Sequence, residues 1–250
     1  MITLFSSGFS PFCRKIQMAL EYKNLEFEVI EVENEQSVED FRSINPRKEV
    51  PVLVDDGITV ANSSDIVAFL DFKYPEKPLL PTTLPERVLA RKWERLSDTT
   101  VDAIVVNLTI WGWADMGKMP DGLHSTAKAD LEKIYLDLNQ ELEGKEFICG
   151  DLSIADIALF PHLASVKLLG LPFSQERHPN LYNWLKTMRS LPICQSDVEK
   201  TKAWLATINT RPLERHKIAW RGDRLEWMLA KGFHKWFYTQ IEQGKVIWPV

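Results

Sequence analysis

Ser10-Pro11-Phe12-Cys13 sets reactive residue types at a spacing that places them at the mouth of a helix. The apolar run Ile2-Thr3-Leu4-Phe5 predicts a strand, Ser6-Ser7-Gly8-Phe9 a short loop, and Arg14-Lys15-Ile16-Gln17-Met18-Ala19-Leu20-Glu21 a helix. Proline is tolerated in the first helical turn, whose N–H groups lack partners anyway. A hydroxyl just ahead of it lies at the positive end of the helix, where a thiolate or other anion is stabilised. The pattern is that of a Cys-Pro-aromatic-Cys redox motif with its first cysteine replaced. In the dithiol form that cysteine is the low-pKa nucleophile. With Ser10 in its place, a two-cysteine redox cycle within the motif is unavailable. Ser10 also reads as an N-cap, for which serine is among the best residues. The two roles are compatible.

Other nearby groups compete for the chemistry. Ser6 and Ser7 end the first strand, and Cys13 lies one turn into the helix. Cys13 equally suits a small apolar site facing inward. Phe9 and Phe12 fit either the wall of an active site or the core.

The chain has 250 residues, enough for one large domain or two modest ones. A hydrophobic content of 45% and a charged content of 26% are those of a water-soluble globular protein. No apolar run reaches the length of a membrane span, and no basic segment followed by an apolar core opens the chain. Three cysteines, Cys13, Cys149 and Cys194, are too few for a disulfide framework. The cytoplasm is the expected location. The five histidines make no metal-ligand spacing with the cysteines, so no metal is expected.

The elements that position the first motif follow from the patterning. Leu25 to Val32 alternates apolar and acidic residues, the signature of a half-buried strand. Ser37 to Ile44 reads as a short helix ended by Asn45-Pro46. Glu49 to Val54, the turn Asp55-Asp56-Gly57 and Ile58-Thr59-Val60 predict a hairpin. Pro51 within that strand pattern is explained by a cis Val50-Pro51 bond at its start. Ser63-Ser64-Asp65 caps a helix from Ile66 to Lys73. Pro75, Pro78, Pro81 and Pro85 mark a linker. Beyond it the spacing is helical: Glu86 to Trp113, Ser125 to Leu142, a run from Ile157 to Leu169 behind the capping pattern Ser153-Ile154-Ala155-Asp156, and Pro179 to Leu191.

This order of elements resembles the glutathione S-transferase family over roughly residues 1–195. Four pieces agree in sequence: Ser10-Pro11-Phe12-Cys13-Arg14, Asn45-Pro46-Arg47-Lys48-Glu49-Val50-Pro51-Val52-Leu53, Asn62-Ser63, and Gly150-Asp151-Leu152-Ser153-Ile154-Ala155-Asp156. The last looks like the family's buried capping motif. The resemblance implies an α/β thioredoxin-like N-terminal domain (1–76), a linker (77–86), an all-α domain (87–200) and an extension (201–250). It suggests a serine-type, bacterial-like member with a long C-terminal tail. It implies glutathione as co-substrate: main-chain pairing at Val50, ahead of Pro51, and the γ-glutamyl carboxylate on Ser63 at a helix N-terminus. The residue before that serine is more often acidic in the family; Asn62 accepts a hydrogen bond but brings no charge. Phe12 would adjoin the same ligand. Ser10 matches the activating serine, with Ser7, Ser6 and Cys13 as rivals. Phe9, Trp111, Trp113 and Met116 are candidates for the electrophile pocket or for helix-end packing. A homodimer is implied, through helices near residues 62–73 and 86–113.

Residues 201–250 stand apart. They hold nine basic and four acidic side chains, net +5, while the other 200 residues carry −10. Five of the nine tryptophans lie there: Trp204, Trp220, Trp227, Trp236 and Trp248. Leu213 to Trp220 and Arg224 to Tyr238 read as helical. Basic residues interleaved with tryptophans fit nucleic-acid or membrane contact. They also fit an amphipathic stretch folded back over the acidic body, the reading favoured here, with no nucleic-acid or membrane partner. The expected function is a glutathione transferase that stabilises the thiolate with a serine hydroxyl for attack on a small hydrophobic electrophile. The alternatives are a glutathione-dependent dehalogenase or ether-cleaving enzyme, and a non-enzymatic binding protein of the same fold.

Overall fold

In the computed structural model residues 1–32, 41–211, 215–220 and 222–248 are described. Strand β1 (Ile2–Ser6) runs parallel to β2 (Phe27–Glu31), Ile2 opposite Phe27. On its other side β1 pairs antiparallel with β3 (Val52–Asp55), Leu4 opposite Leu53, and β3 pairs with β4 (Ile58–Ala61). The sheet order is β2-β1-β3-β4. Asp56 and Gly57 form the hairpin turn with φ of 49° and 78°. Two positive φ values make it the tight turn whose twist matches the strands, and Asp-Gly is a preferred pair for it.

Helices α1 (Pro11–Tyr22) and α2 (Ser63–Lys73) cover this sheet. Leu4 and Leu53 of the central strands are fully buried, as are Ile16, Ala19 and Leu20 of α1 and Ile66, Val67 and Leu70 of α2. The second layer is helical: α3 (Leu84–Leu96), a π turn (Ser97–Val101), α4 (Asp102–Thr109), α5 (Leu123–Glu141), α6 (Ile154–Leu163), α7 (Pro179–Ser190) and α8 (Pro192–Ala206). Asp156 organises its centre. Its carboxylate accepts Ile148 N (3.0 Å), Ser153 N (3.0 Å), Ser153 Oγ (3.0 Å) and Trp184 Nε1 (2.9 Å), with no solvent exposure. The two layers are joined by a buried ion pair. Arg14 of α1 grips Asp197 of α8 through two hydrogen bonds, 2.8 and 2.7 Å, and donates to Pro161 O at 3.1 Å.

Outside the extension, the structure departs from the patterning in four places. β2 is an edge strand, and Val29 and Ile30 stay about two-fifths exposed, so it is not half-buried along its length. The helix expected from Glu86 starts two residues earlier at Leu84, where Thr83 Oγ1 accepts Glu86 N. α2 likewise starts at Ser63, capped by Asn62 rather than by its own serines. α6 stops at Leu163 although the apolar run continues to Leu169. Ser165 N and Oγ both donate to His162 O, which tightens the chain into turns and leaves Leu168 outside. The helix expected over Ser37–Ile44 falls mainly outside the described residues.

The extension is partly strand. Ile218–Ala219 (β5) pairs in parallel with Val246–Ile247 (β6), where the spacing had suggested helix through Trp220. The expected helix from Arg224 to Tyr238 is two, α9 (Gly222–Ala230) and α10 (His234–Glu242), parted at Gly232, whose φ is 87°. Its cations meet acids of the helical layer. Arg224 pairs with Asp102 at 2.7 Å, and Asp130 of α5 accepts Lys231 (2.6 Å) and Trp227 Nε1 (3.0 Å).

Burial of the Asp130 carboxyl is outweighed by Lys231, Trp227 and Lys133, which hold its pKa below the ordinary value. A depressed carboxylate pKa stabilises the fold above the unfolded value, about 3.9, and that contribution is lost as pH falls through the folded one. The melting-temperature gap between wild type and Asp130→Asn is therefore expected to be constant above about pH 5 and to close in stronger acid. A gap unchanged down to pH ~2 would contradict this role for Asp130.

Candidate active site

The strand register brings three segments to one edge of the sheet. Phe5 near the end of β1 lies opposite Val52 at the start of β3, and Val52 lies opposite Ala61 at the end of β4. The Ser7–Ser10 loop, Val50-Pro51 and Asn62-Ser63 therefore leave the sheet at the same edge. Two helices also begin there, so two sets of helix N–H groups are presented together.

Ser10 is the N-cap of α1, with extended φ and ψ of −67° and 121°. Its Oγ accepts Cys13 N at 3.4 Å, its N–H donates to Ser7 O at 2.9 Å, and its carbonyl accepts Arg14 N at 3.0 Å. The oxygen thus faces the helix end while its rotatable O–H is able to donate. Ser10 is half-buried, at the surface of the mouth.

The rivals are placed differently. Ser6 is wholly buried and its Oγ accepts Gln17 Nε2 at 3.2 Å. Cys13 is wholly buried, and its sulfur accepts Ser7 N at 3.4 Å. Burial pushes the Cys13 thiol up, against the pull of that N–H and of Ser10, so it is a poor thiolate. Ser7 is half-buried and adjoins the mouth.

The Val50-Pro51 bond is cis, and the loop before it is braced by Asn45 Nδ2 donating to Glu49 O at 2.8 Å. Asn62 has φ 74° and ψ 128°, an unfavourable conformation for a residue with a Cβ. Backbone held in such a region is concentrated at functional sites. Its Oδ1 accepts Ser64 N at 3.0 Å, capping α2 and exposing the first turn next to buried Ser63.

Phe9 stacks on Trp204 of α8, ring centroids 5.4 Å apart and planes 19° apart, and the Arg211 guanidinium lies 4.7 Å over the same indole. Gly8 allows this approach, since a Cβ there would meet Trp204 at 2.5 Å; its N–H donates to Glu31 at 2.9 Å. Phe12 is half-buried, with Lys15 Nζ 5.9 Å from its centroid. Trp111, Trp113 and Met116 gather under the extension instead. Met116 is buried, Trp111 meets Trp236 at 5.4 Å, and Trp113 O accepts Arg215 at 2.7 Å. Arg215 also donates to Ile208 O, just past α8, which ties this group to the segment that carries Trp204. Trp204 itself was indistinguishable in sequence from the other tryptophans of the extension. Gly8 beside Phe9, which leaves room for a large ring, is the one local feature consistent with such a partner. Among the described residues no cluster of three metal-ligating side chains occurs, and no helix is long and apolar enough to cross a membrane.

A β2-β1-β3-β4 mixed sheet with its helix mouths at one edge, followed by an all-helical layer, is the glutathione S-transferase architecture, and the chain belongs to that family. Residues 4–78 match the family's N-terminal domain and residues 122–192 its C-terminal domain. Glutathione S-transferase 1 of Dianthus caryophyllus is 30% identical over 179 residues, 69% of this chain and 80% of that protein. A glutathione S-transferase from Rhodospirillum rubrum is 27% identical with a TM-score of 0.69, over 79% of this chain and 91% of that one. A β-etherase from Sphingobium shares the fold, with a TM-score of 0.68 at 23% identity over 80% of this chain and 99% of that one.

Proposed function

We propose that this protein is a glutathione transferase in which Ser10 donates a hydrogen bond to the glutathione thiolate for attack on a small apolar electrophile. The observation that carries the reading is the common edge at which the α1 mouth, Val50-Pro51 and the α2 mouth emerge. An extended tripeptide laid along that edge has its sulfur at Ser10, its main chain beside Val50 and its γ-glutamyl carboxylate at Ser63. Pairing of this kind through main-chain groups holds extended peptides elsewhere.

The energetics are within reach of these groups. A free thiol has a pKa of about 8.5, and only a few per cent is ionised at neutral pH. Lowering it by ~2 units requires about 2.7 kcal/mol of preference for the thiolate. A hydrogen bond to a charged group contributes about 1.5–3 kcal/mol and a helix end about 0.3–1 kcal/mol. The Phe9–Trp204 pair supplies a flat apolar wall beside Ser10 for the electrophile.

The test is calorimetric titration of the full chain with glutathione, followed by a rate measurement with 1-chloro-2,4-dinitrobenzene. Saturable binding below millimolar concentration and thiol-dependent turnover are expected. Binding without turnover on any electrophile would assign the chain to binding rather than catalysis, and no binding at millimolar glutathione would sink the reading.

A further inference from the structure

Lys15 takes no part in the chemistry at Ser10, yet its side chain is only 1% exposed. It donates to Glu94 Oε1 at 3.2 Å and to Asp98 Oδ2 at 2.6 Å. An ammonium in the interior is expensive unless it is paired and hydrogen-bonded, and an apolar side chain would fill such a site more simply. The same two oxygens also accept the Ser64 hydroxyl, at 3.1 and 3.3 Å. Arg91 holds the second Glu94 oxygen at 2.5 Å. Burial pushes the Asp98 carboxyl up, and Lys15 pulls it back.

The geometry of this cluster concerns two helix ends at once. Lys15 lies five residues past Ser10 on α1, and Ser64 follows Ser63 in the first turn of α2. Glu94 lies in the last turn of α3, and Asp98 lies in the π turn that follows, a form often found at functional sites. The helices α1 and α2 are thus fastened to one pair of carboxylates on the helical layer. A ligand that spans the two mouths gains affinity when their spacing is set in advance.

We propose that Lys15, Ser64, Glu94 and Asp98 form a positioning cluster that fixes the separation of the Ser10 and Ser63 helix ends and thereby sets the affinity for glutathione. The inference rests on the glutathione reading above. The cluster touches neither the thiol nor the electrophile, so it acts on ligand and transition state alike. Such uniform binding alters KM and leaves kcat nearly unchanged.

Ser64→Ala in the full chain keeps every ion pair and removes only the link to α2. Its glutathione dissociation constant, by calorimetry, is expected to rise about fivefold. Its kcat at saturating glutathione should stay within about twofold of wild type, and the pH at half-maximal rate should not move. Lys15→Met should raise the dissociation constant further, by more than about tenfold, with partial recovery in Lys15→Arg. If Lys15→Met does not fold, Ser64→Ala decides alone. A Ser64→Ala chain that binds glutathione as wild type does overturns the positioning cluster while leaving the glutathione reading intact. A wild-type chain that binds no glutathione overturns both.

Discussion

Ser10→Ala is expected to lower kcat at neutral pH by about tenfold to a hundredfold while changing the glutathione dissociation constant by less than about threefold. On the role proposed for Ser10, the variant loses a charge-assisted donor to sulfur, worth about 1.5–3 kcal/mol, and each ~1.4 kcal/mol is a factor of ten in rate. The effect falls on turnover because the hydrogen bond serves the thiolate and not the tripeptide backbone. It also carries a sign with pH. The donor lowers the thiol pKa, so its removal raises that pKa, and the deficit should shrink as the medium becomes alkaline enough to ionise the thiol unaided. Ser10 also caps α1, so a stability loss of about 1 kcal/mol accompanies the change and must be separated from the rate. Kinetics across pH, with an ultraviolet titration of the bound thiolate, read both effects. Full turnover in Ser10→Ala would pass the role to Ser7, because Ser6 and Cys13 are wholly buried.

What was legible in the chain was local. Ser10 ahead of Pro11, Asp56-Gly57 between two apolar runs, and Ser153 three residues before Asp156 each state their geometry within a few residues. The structure has an N-cap, a tight turn and a reciprocal cap at those places. Distance along the chain hid the rest. Lys15 reads as a solvated lysine on an amphipathic helix, yet its partners are 79 and 83 residues away, on elements that meet only after both layers form. Composition marked the extension as unusual but could not rank its tryptophans. Trp204 reaches Phe9, whereas Trp220 and Trp236 pack on each other 5.9 Å apart. Alternation in Leu25–Val32 announced a strand correctly but not its place in the sheet, and an edge position leaves its apolar side chains half in water. Apolar run length misjudged α6, because a serine turning back on His162 ends a helix that hydrophobicity alone would continue.

Asp156→Ala is expected to be the most damaging single substitution for stability, for reasons independent of glutathione. One carboxylate with no solvent exposure accepts four hydrogen bonds from Ile148, Ser153 twice, and Trp184. Those donors belong to the segment before α6, to its cap and to α7, so the group joins three pieces of chain that also share an apolar core. Removing it leaves several buried donors unsatisfied, each costing about 1–3 kcal/mol, although relaxation and water entry recover part of that sum. A net loss of about 3–5 kcal/mol is expected, a large share of the roughly 5–15 kcal/mol that stabilises a typical domain. In a chain of this length that corresponds to a fall in melting temperature of about 6–20 °C. Asp156→Asn keeps one acceptor oxygen but turns an amide N–H₂ toward groups that are themselves donors, so it should recover little. Melting followed by circular dichroism, with urea unfolding as a second probe, decides the matter. An Asp156→Ala chain within about 1 kcal/mol of wild type would mean that water replaces the carboxylate, and that the helical layer is held by its apolar packing alone.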